Sequence, residues 1–307
     1  MKVLVVAEHL NGKLEDITFE MLGKAKELGT AEVALLGHNA KDLAAQLGKA
    51  DSVIYMDSPE LAEFNPDTYS KGLKAIVEAR QPDIVLVGNT SMGMDLAAAL
   101  SVDMGMPLVA YAIDVAADKV VSSLYGGKMN VESAVSTPFI ASVLAGSFPA
   151  DAGRGEGSPA VEEMAAPDFG SVKVRFKQLI EPEGGDVDIT QQPILVSVGR
   201  GIQSEDNLPM AEELANKLGG AVSASRPIID NKWLPKTRQV GKSGLKVKPK
   251  LYLTLGISGA PEHIEGMKDA DLIIAVNTDL KAPIFDYAHY GTTVDLFDLV
   301  PALTEKL

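Results

Sequence analysis

The residue types best suited to chemistry in this 307-residue chain gather in its last third. Leu251 to Leu255 (LYLTL) and Leu272 to Val276 are apolar runs of strand length, and between them lies Gly256-Ile257-Ser258-Gly259-Ala260, followed by Pro261. The spacing predicts a strand, a glycine turn, a short helix opened by Pro261 and a second strand. Glycines at 256 and 259 let a backbone approach a ligand closely, and unpaired N–H groups at such a turn attract phosphate. The chemistry this serves is the holding of a diphosphate-bearing cofactor, although an ordinary strand-to-helix turn has the same pattern. Just upstream, Lys232, Lys236, Arg238, Lys242, Lys246, Lys248 and Lys250 make seven basic residues with no acid among them, and Arg226 precedes them. Such a run is a solvated loop, or a set of charges of which a few face a phosphate or a reduced, anionic cofactor.

These residues need a frame. Pro193 to Val198 reads as a strand ended by Gly199-Arg200-Gly201, and Ser204 caps a helix that carries Leu208, Ala211, Leu214, Ala215 and Leu218 on one face before Gly219-Gly220. In such an α/β unit the strand ends would collect Arg200, Ser225-Arg226-Pro227, Gly256 to Ala260 and Asn277-Thr278-Asp279 along one sheet edge, where a cofactor crevice forms.

The first half has the same texture. Residues 3–7, 32–36, 52–56, 83–88 and 107–115 are apolar runs separated by helix patterns at Thr18 to Leu28, Lys41 to Leu47, Thr68 to Ala79 and Asp95 to Met104. Strands apolar throughout and alternating with helices predict a doubly wound parallel sheet covered on both faces. The turn Gly88 to Asp95 is either a nucleotide cradle or a helix start capped by Thr90 or Ser91, and the capped helix is the favoured reading. The P-loop pattern is absent. After Val120 the chain predicts antiparallel edge strands: a hairpin about Tyr125-Gly126-Gly127, a strand at Phe139 to Leu144 and another at Val172 to Ile180. The polar segment Glu181 to Gln192 reads as the boundary between a domain of residues 1–188 and one of residues 189–307.

Composition removes other chemistries. With no cysteine there is no thiolate catalysis, disulfide or cysteine-held metal centre, and no metal site is expected. A net charge of −14 opposes bulk attraction to nucleic acid or anionic membrane. No apolar run approaches the roughly 18 residues of a membrane span, and MKVLVVAEH is too short and wrongly flanked for a signal peptide, so a cytoplasmic protein is expected.

SRPIID…W…RQVGKSG, LYLTLGISGAPEHIEGM, IIAVNTD, APIF and YGTTVDLFDLVPALTEKL together resemble the C-terminal domain of the electron-transfer flavoprotein alpha subunit, from about Pro193 to Leu307. MKVLVVAEH and the domain sizes agree with that family over the rest. The resemblance implies an α/β/α FAD-binding domain behind an N-terminal domain that meets a beta subunit. It implies an electron carrier that takes electrons from a dehydrogenase, such as an acyl-CoA dehydrogenase, and passes them singly to a quinone oxidoreductase or other acceptor. It also implies a small domain that swings about the polar hinge. Two alternatives stand beside it: a bifurcating complex that oxidises NADH at a second FAD in the beta subunit, which would make the assembly an enzyme, and a flavin-free nucleotide-binding regulatory protein.

Carried over by position, the resemblance gives Arg200, Gly256, Ile257, Ser258, Gly259, Ala260 and Asn277 to the diphosphate and adenosine, with Asp295 at the adenine end. Ser225, Gln239, Val240, Gly241 and Ser243 would line the ribityl chain and isoalloxazine, Ser243 reaching the N5 edge. His263 would sit at the pyrimidine side and Arg226 against the ring, the guanidinium or imidazole balancing negative charge on the reduced flavin. Lys242, Pro261, Glu262 and Leu296 complete the implied contacts. Taken singly, Arg226 also reads as a surface ion pair, His263 as a helix-face histidine and Asp295 as a helix cap. Two positions depart from the family: Ser243 replaces a common threonine and keeps the hydroxyl, and Glu262 replaces an amide, which is expected to oppose an anionic flavin or raise the proton affinity of His263.

Overall fold

In the computed structural model, which describes residues 1–125, 127–178 and 186–307, every residue from Val3 to Val6 is buried, as is every residue from Ala31 to Gly37. A strand buried on both faces must be covered on both, and that requirement organises the first of two units, Met1–Gln178 and Leu179–Leu307. Its elements are β1 (Lys2–Val6), β2 (His9–Leu10), β3 (Lys13–Leu14), α1 (Asp16–Leu28), β4 (Thr30–Gly37), β5 (Ser52–Asp57), α2 (Pro66–Arg80), β6 (Ile84–Gly88), α3 (Ser91–Met104), β7 (Leu108–Val115), β8 (Lys119–Leu124), β9 (Met129–Ala134), β10 (Phe139–Val143), α4 (Ala150–Gly153) and β11 (Ala160–Glu163). The main sheet has the order β11-β5-β4-β1-β6-β10-β7-β8-β9, parallel except at one edge, where β8 pairs antiparallel with both β7 and β9. Along β1, Val3 and Val5 enter the core beneath α1, while Leu4 and Val6 enter the core that holds Leu73, Ile76 and Leu100 of α2 and α3. Each such fully buried aliphatic side chain contributes roughly 1.5–3 kcal/mol.

Three expectations are corrected here, the first at β10: Phe139–Val143 is no antiparallel edge strand but lies inside the sheet, parallel to both β6 and β7. Lys41–Gln46 is a 3-10 turn instead of an α-helix. Residues 172–178 form no strand, because the backbone there turns to side chains at the start of α2: Lys173 N–H donates to Asp67, and the Val174 carbonyl accepts from Asn65. The rest of that expected strand, Gly126 of the hairpin and residues 181–185 of the expected hinge lie outside the described residues. The sheet edge is instead taken by β11, parallel to β5 from Ala160↔Ser52 to Glu163↔Tyr55.

The Gly88 to Asp95 turn is a capped helix start. Thr90 Oγ1 accepts from Gly93 N at 2.9 Å, and its hydroxyl donates to the Glu8 carboxylate, 2.9 and 2.8 Å from the two oxygens. Glu8, only 3% exposed, stands at the switch point between β1 and β6, where a sheet of this topology binds ligands. Burial pushes its carboxyl up to about 7, against the pull of Thr90 and with help from Glu15.

The second unit contains β12 (Ile194–Val198), α5 (Leu208–Leu218), β13 (Ala221–Ala224), α6 (Arg226–Asp230), β14 (Leu251–Leu255), α7 (Pro261–Met267), β15 (Ile273–Val276), β16 (Tyr290–Thr292) and α8 (Leu296–Lys306). Its sheet is parallel throughout, in the order β13-β12-β14-β15-β16. One face packs Val196, Val198, Leu253 and Leu255 against Leu214 of α5 and Val300 of α8, and the other packs Leu195 and Tyr252 against Ile264 and Met267 of α7. From β12 the chain steps outward to β13 and then returns across β12 to β14. The switch point therefore lies between the ends of β12 and β14, beside Arg200 and Gly256. Among the described residues no helix is long and apolar enough to cross a membrane, and no group of His, Cys, Asp or Glu is arranged to hold a metal ion.

Candidate functional site

A cavity of about 710 Å³ opens at the carboxyl ends of these strands. Its lining includes Arg200 after β12, Ser225 and Arg226 after β13, Gln239 to Ser243 in the following loop, and Gly256, Ile257, Ser258 and Ala260 after β14. Glu262, His263, Asn277, Asp295 and Leu296 complete the residues singled out from the sequence. Gly259 and Pro261 do not line it. Gly259 turns toward Ile284, whose Cα would lie 2.7 Å from an added Cβ, and Pro261 is exposed at the first turn of α7. Gln203, Asp230, Val276, Ala282 and Val294 also line the cavity. Sequence reading did not single them out, because Val276, Ala282 and Val294 are small or apolar side chains that read as strand end or wall and Asp230 reads as the partner of Arg226 four residues before it.

The turn after β14 has a geometry that suits an anion. Gly256 and Gly259 have φ of +65° and +86°, and a Cβ on Gly256 would lie 2.5 Å from the Gly201 backbone, so only glycine lets the two turns meet. The consecutive amides of Ile257, Ser258, Gly259 and Ala260 donate to no described group. Asn277 braces the turn: its Nδ2 donates to the Ile257 carbonyl at 2.9 Å, and its Oδ1 accepts from Asp279 N at 2.9 Å. A run of backbone N–H groups without acceptors at a cavity wall suits phosphate oxygens. With α7 only seven residues long, the amides of the turn supply this character and the helix dipole adds little.

The loop from Gln239 to Leu245 closes on itself. Leu245 N donates to the Gln239 carbonyl at 2.7 Å, Gly241 N donates to the Leu245 carbonyl at 3.1 Å, and Lys242 N donates to the Glu262 carbonyl at 2.7 Å. Gln239 is buried, and its Nε2 donates to Ser243 Oγ at 2.8 Å. Val240, Ile257 and Leu296 are buried and supply apolar wall. The basic run is partly spent on structure: Arg238 pairs with Asp186 at 2.5 Å and donates to the Val222 carbonyl, and Lys246 pairs with Asp269 at 3.0 Å.

His263 differs from expectation. It is 5% exposed, and its Nδ1 lies 3.1 Å from the Val240 carbonyl and its Nε2 3.1 Å from the Tyr252 hydroxyl. Burial pushes the imidazole down to about 4, against the Val240 hydrogen bond, so the ring is neutral at pH 7. Glu262, which is exposed, does not raise its proton affinity, and desolvation decides.

Arg226 and Asp295 each have two roles. Arg226 Nε lies 3.3 Å from Asp230 Oδ2 in an exposed i, i+4 pair, and both residues line the cavity. Asp295 caps α8 by accepting from Phe297 N at 3.0 Å and is also a lining residue.

The cavity thus joins an anion-holding turn, an arginine pair and a buried polar loop, the set of features needed to grip a long cofactor with a phosphate segment and a polar ring. Comparison with known proteins leads to the same place. Residues 3–169 match the electron transfer flavoprotein domain, and residues 188–268 match the electron transfer flavoprotein FAD-binding domain. The chain is 34% identical over 316 residues to the electron transfer flavoprotein subunit alpha of Bacillus subtilis (strain 168), covering 99% of this chain and 97% of that one. It is 35% identical over 321 residues to the subunit alpha of Methylophilus methylotrophus, covering 100% and 99%. It is also 33% identical over 325 residues to the lactate dehydrogenase (NAD(+),ferredoxin) subunit LctC of Acetobacterium woodii, covering 98% of this chain and 75% of that one. With both units matched and the two alpha subunits spanned nearly end to end, this chain belongs to the electron transfer flavoprotein alpha-subunit family.

Proposed function

We propose that this chain binds FAD in the cavity of its second unit and, paired with a beta subunit, carries electrons from a dehydrogenase to a downstream acceptor. The observation that carries the reading is the turn from Ile257 to Ala260, four successive amides without acceptors beside a cavity of about 710 Å³, within the segment that matches a FAD-binding domain. In this reading residues 189–307 form the FAD-binding domain, and residues 1–188 supply the surface for the beta subunit.

Bound FAD supplies reversible one- and two-electron chemistry. The protein holds and tunes it. The amides of the turn, with Arg200 nearby, grip the diphosphate, and Asn277 keeps the turn in shape. Ser243 receives the Gln239 amide on its oxygen and offers its own proton to the ring edge. Arg226 brings a permanent positive charge that favours a reduced, anionic flavin. Ile257, Val240 and Leu296 exclude water from the ring.

A second reading, a bifurcating complex, has one observation in its favour: the similarity to a relative named lactate dehydrogenase (NAD(+),ferredoxin) subunit. Purification with the beta subunit and extraction of the bound nucleotides tests both. One FAD with one AMP per heterodimer supports the simple carrier, and two FAD support bifurcation. A colourless heterodimer that takes up no FAD would sink both readings.

A further inference from the structure

Glu8 lies two residues beyond β1 and is 3% exposed, a buried acid outside the cofactor cavity. From β1 the chain steps outward to β4 and β5 and then returns across β1 to β6, so the crevice of the first sheet lies between the ends of β1 and β6. In a sheet of this kind a phosphate group sits there, against the first turn of a helix that follows one of the two strands. The helix after β6 is α3, fourteen residues long and opened by Ser91, Met92 and Gly93.

That place is filled by an acid of the chain itself. The backbone of Glu8 is fixed from the side of α1: its N–H donates to Thr18 Oγ1 at 2.9 Å, and its carbonyl accepts from Glu15 N at 2.9 Å. Its carboxylate then reaches the turn between β6 and α3, where the Thr90 hydroxyl donates to it. The approach is close enough to need glycine at two positions: a Cβ on Gly93 would lie 2.8 Å from Glu8 Oε1, and one on Gly88 would strike the same oxygen. Thr90 Oγ1 also accepts from Gly93 N at 2.9 Å, so one hydroxyl joins the carboxylate to the helix start. A neighbouring cavity of about 360 Å³ does not reach this turn: His9, Asn39 and Tyr69 help to line it, but Glu8, Thr90 and the residues of α3 do not.

A buried carboxylate leaves an incoming phosphate no room beside Gly88 and Gly93, and it repels one strongly where water is excluded. We propose that Glu8 is a specificity-determining residue of the first unit: its carboxylate occupies the phosphate position at the start of α3 and keeps phosphate-bearing ligands out of a crevice whose topology would otherwise take one. This role stands on the first unit alone and does not depend on the FAD reading above.

The experiment uses the full chain in its heterodimer with ¹⁵N-labelled methionine, titrated with inorganic phosphate at pH 8, where a carboxyl raised to about 7 is mostly ionised. Met92 and Met94 lie in the first turn of α3, and loss of one signal each in Met92→Leu and Met94→Leu assigns them among the eleven methionines. In Glu8→Ala both amides are expected to show saturable shifts, with phosphate bound at least about tenfold more tightly than in the wild type. Glu8→Gln keeps the volume and loses the charge, so its affinity should fall between the two. Met92 and Met94 amides that move no more in Glu8→Ala than in the wild type overturn the proposal, as do shifts confined to methionines outside α3. If Glu8→Ala does not fold, Glu8→Gln decides: a gain over the wild type supports the role and an equal affinity overturns it. If the heterodimer holds no flavin, the proposed function fails and these shifts still decide for Glu8.

Discussion

Gln239 and Ser243 sit four residues apart on the cavity loop, and the Gln239 amide donates to Ser243 Oγ at 2.8 Å. The amide takes a lone pair of Ser243 and leaves its proton to be donated elsewhere. Because Gln239 is 4% exposed, its orientation is fixed by the core, and so the serine hydroxyl is oriented before a ligand arrives. Ser243→Ala is expected to cost FAD binding about 1 kcal/mol, roughly fivefold in Kd, since one hydrogen bond is lost and the Gln239 amide is left with no acceptor. Ser243→Thr keeps the hydroxyl and should stay within about twofold. Titration of the deflavinated heterodimer with FAD, followed by flavin fluorescence, measures both; equal affinities for the alanine and threonine variants would remove Ser243 from the site.

Arg226 and Asp230 make a second prediction. Their contact is 3.3 Å between side chains that are 70% and 62% exposed, and pairs of that kind contribute little to folding. Asp230→Asn should therefore leave thermal stability nearly unchanged. It also removes a negative charge beside the arginine at the cavity wall, which should raise the flavin reduction potential, whereas Arg226→Ala should lower it. Both shifts should shrink in high salt, because the pair is exposed. Spectroelectrochemical titration at two ionic strengths is the measurement, and shifts of the same sign in both variants would contradict the assignment.

Legibility followed the backbone more closely than the side chains. The parallel strands were visible because strands such as β1 and β6 are buried on both faces and have no polar residue to interrupt them. The turn after β14 was visible because its glycines are needed by the backbone itself. The state of His263 was not visible. Its proton affinity depends on burial that only the folded sheet creates and, against it, on the carbonyl of Val240, twenty-three residues away. Strand β11 hid in an alanine-, glycine- and acid-rich stretch since an edge strand needs only backbone pairing, and β16, three residues long and largely exposed, hid for the same reason.

Glu8 makes stability depend on pH. Its carboxyl is raised from 4.5 to about 7, so between these values the folded state binds more protons than the unfolded chain. Stability from this group is therefore fully present below about pH 4.5 and is lost as pH rises through about 7, a contribution on the order of 3 kcal/mol. Neighbouring Glu15 adds to the effect and the Thr90 hydroxyl opposes it. Hydrogen exchange of the β1 and β6 amides should report weaker protection at pH 8 than at pH 6, after correction for intrinsic rates. Glu8→Gln, which cannot ionise, should flatten that difference, and a pH dependence unchanged in Glu8→Gln would assign it to another group.

Asn277 supplies the last prediction. One side chain spans the ends of β14 and β15, donating to the Ile257 carbonyl and accepting from Asp279 N, each at 2.9 Å. Its effect on a ligand is indirect: it holds the turn whose amides face phosphate oxygens. Asn277→Ala removes two hydrogen bonds of about 1 kcal/mol each, and the loosened turn should bind FAD about tenfold or more weakly. Riboflavin has the same ring and no phosphate, so its affinity should change by less than about twofold. Asn277→Asp keeps the bond to Asp279 N, loses the donor to Ile257 and brings a carboxylate toward the anion-holding turn, so it should weaken FAD further than alanine does, more so at low salt. Parallel titrations with FAD and riboflavin decide the matter, since equal weakening of the two would show that Asn277 supports the ring pocket or the fold at large and not the phosphate turn.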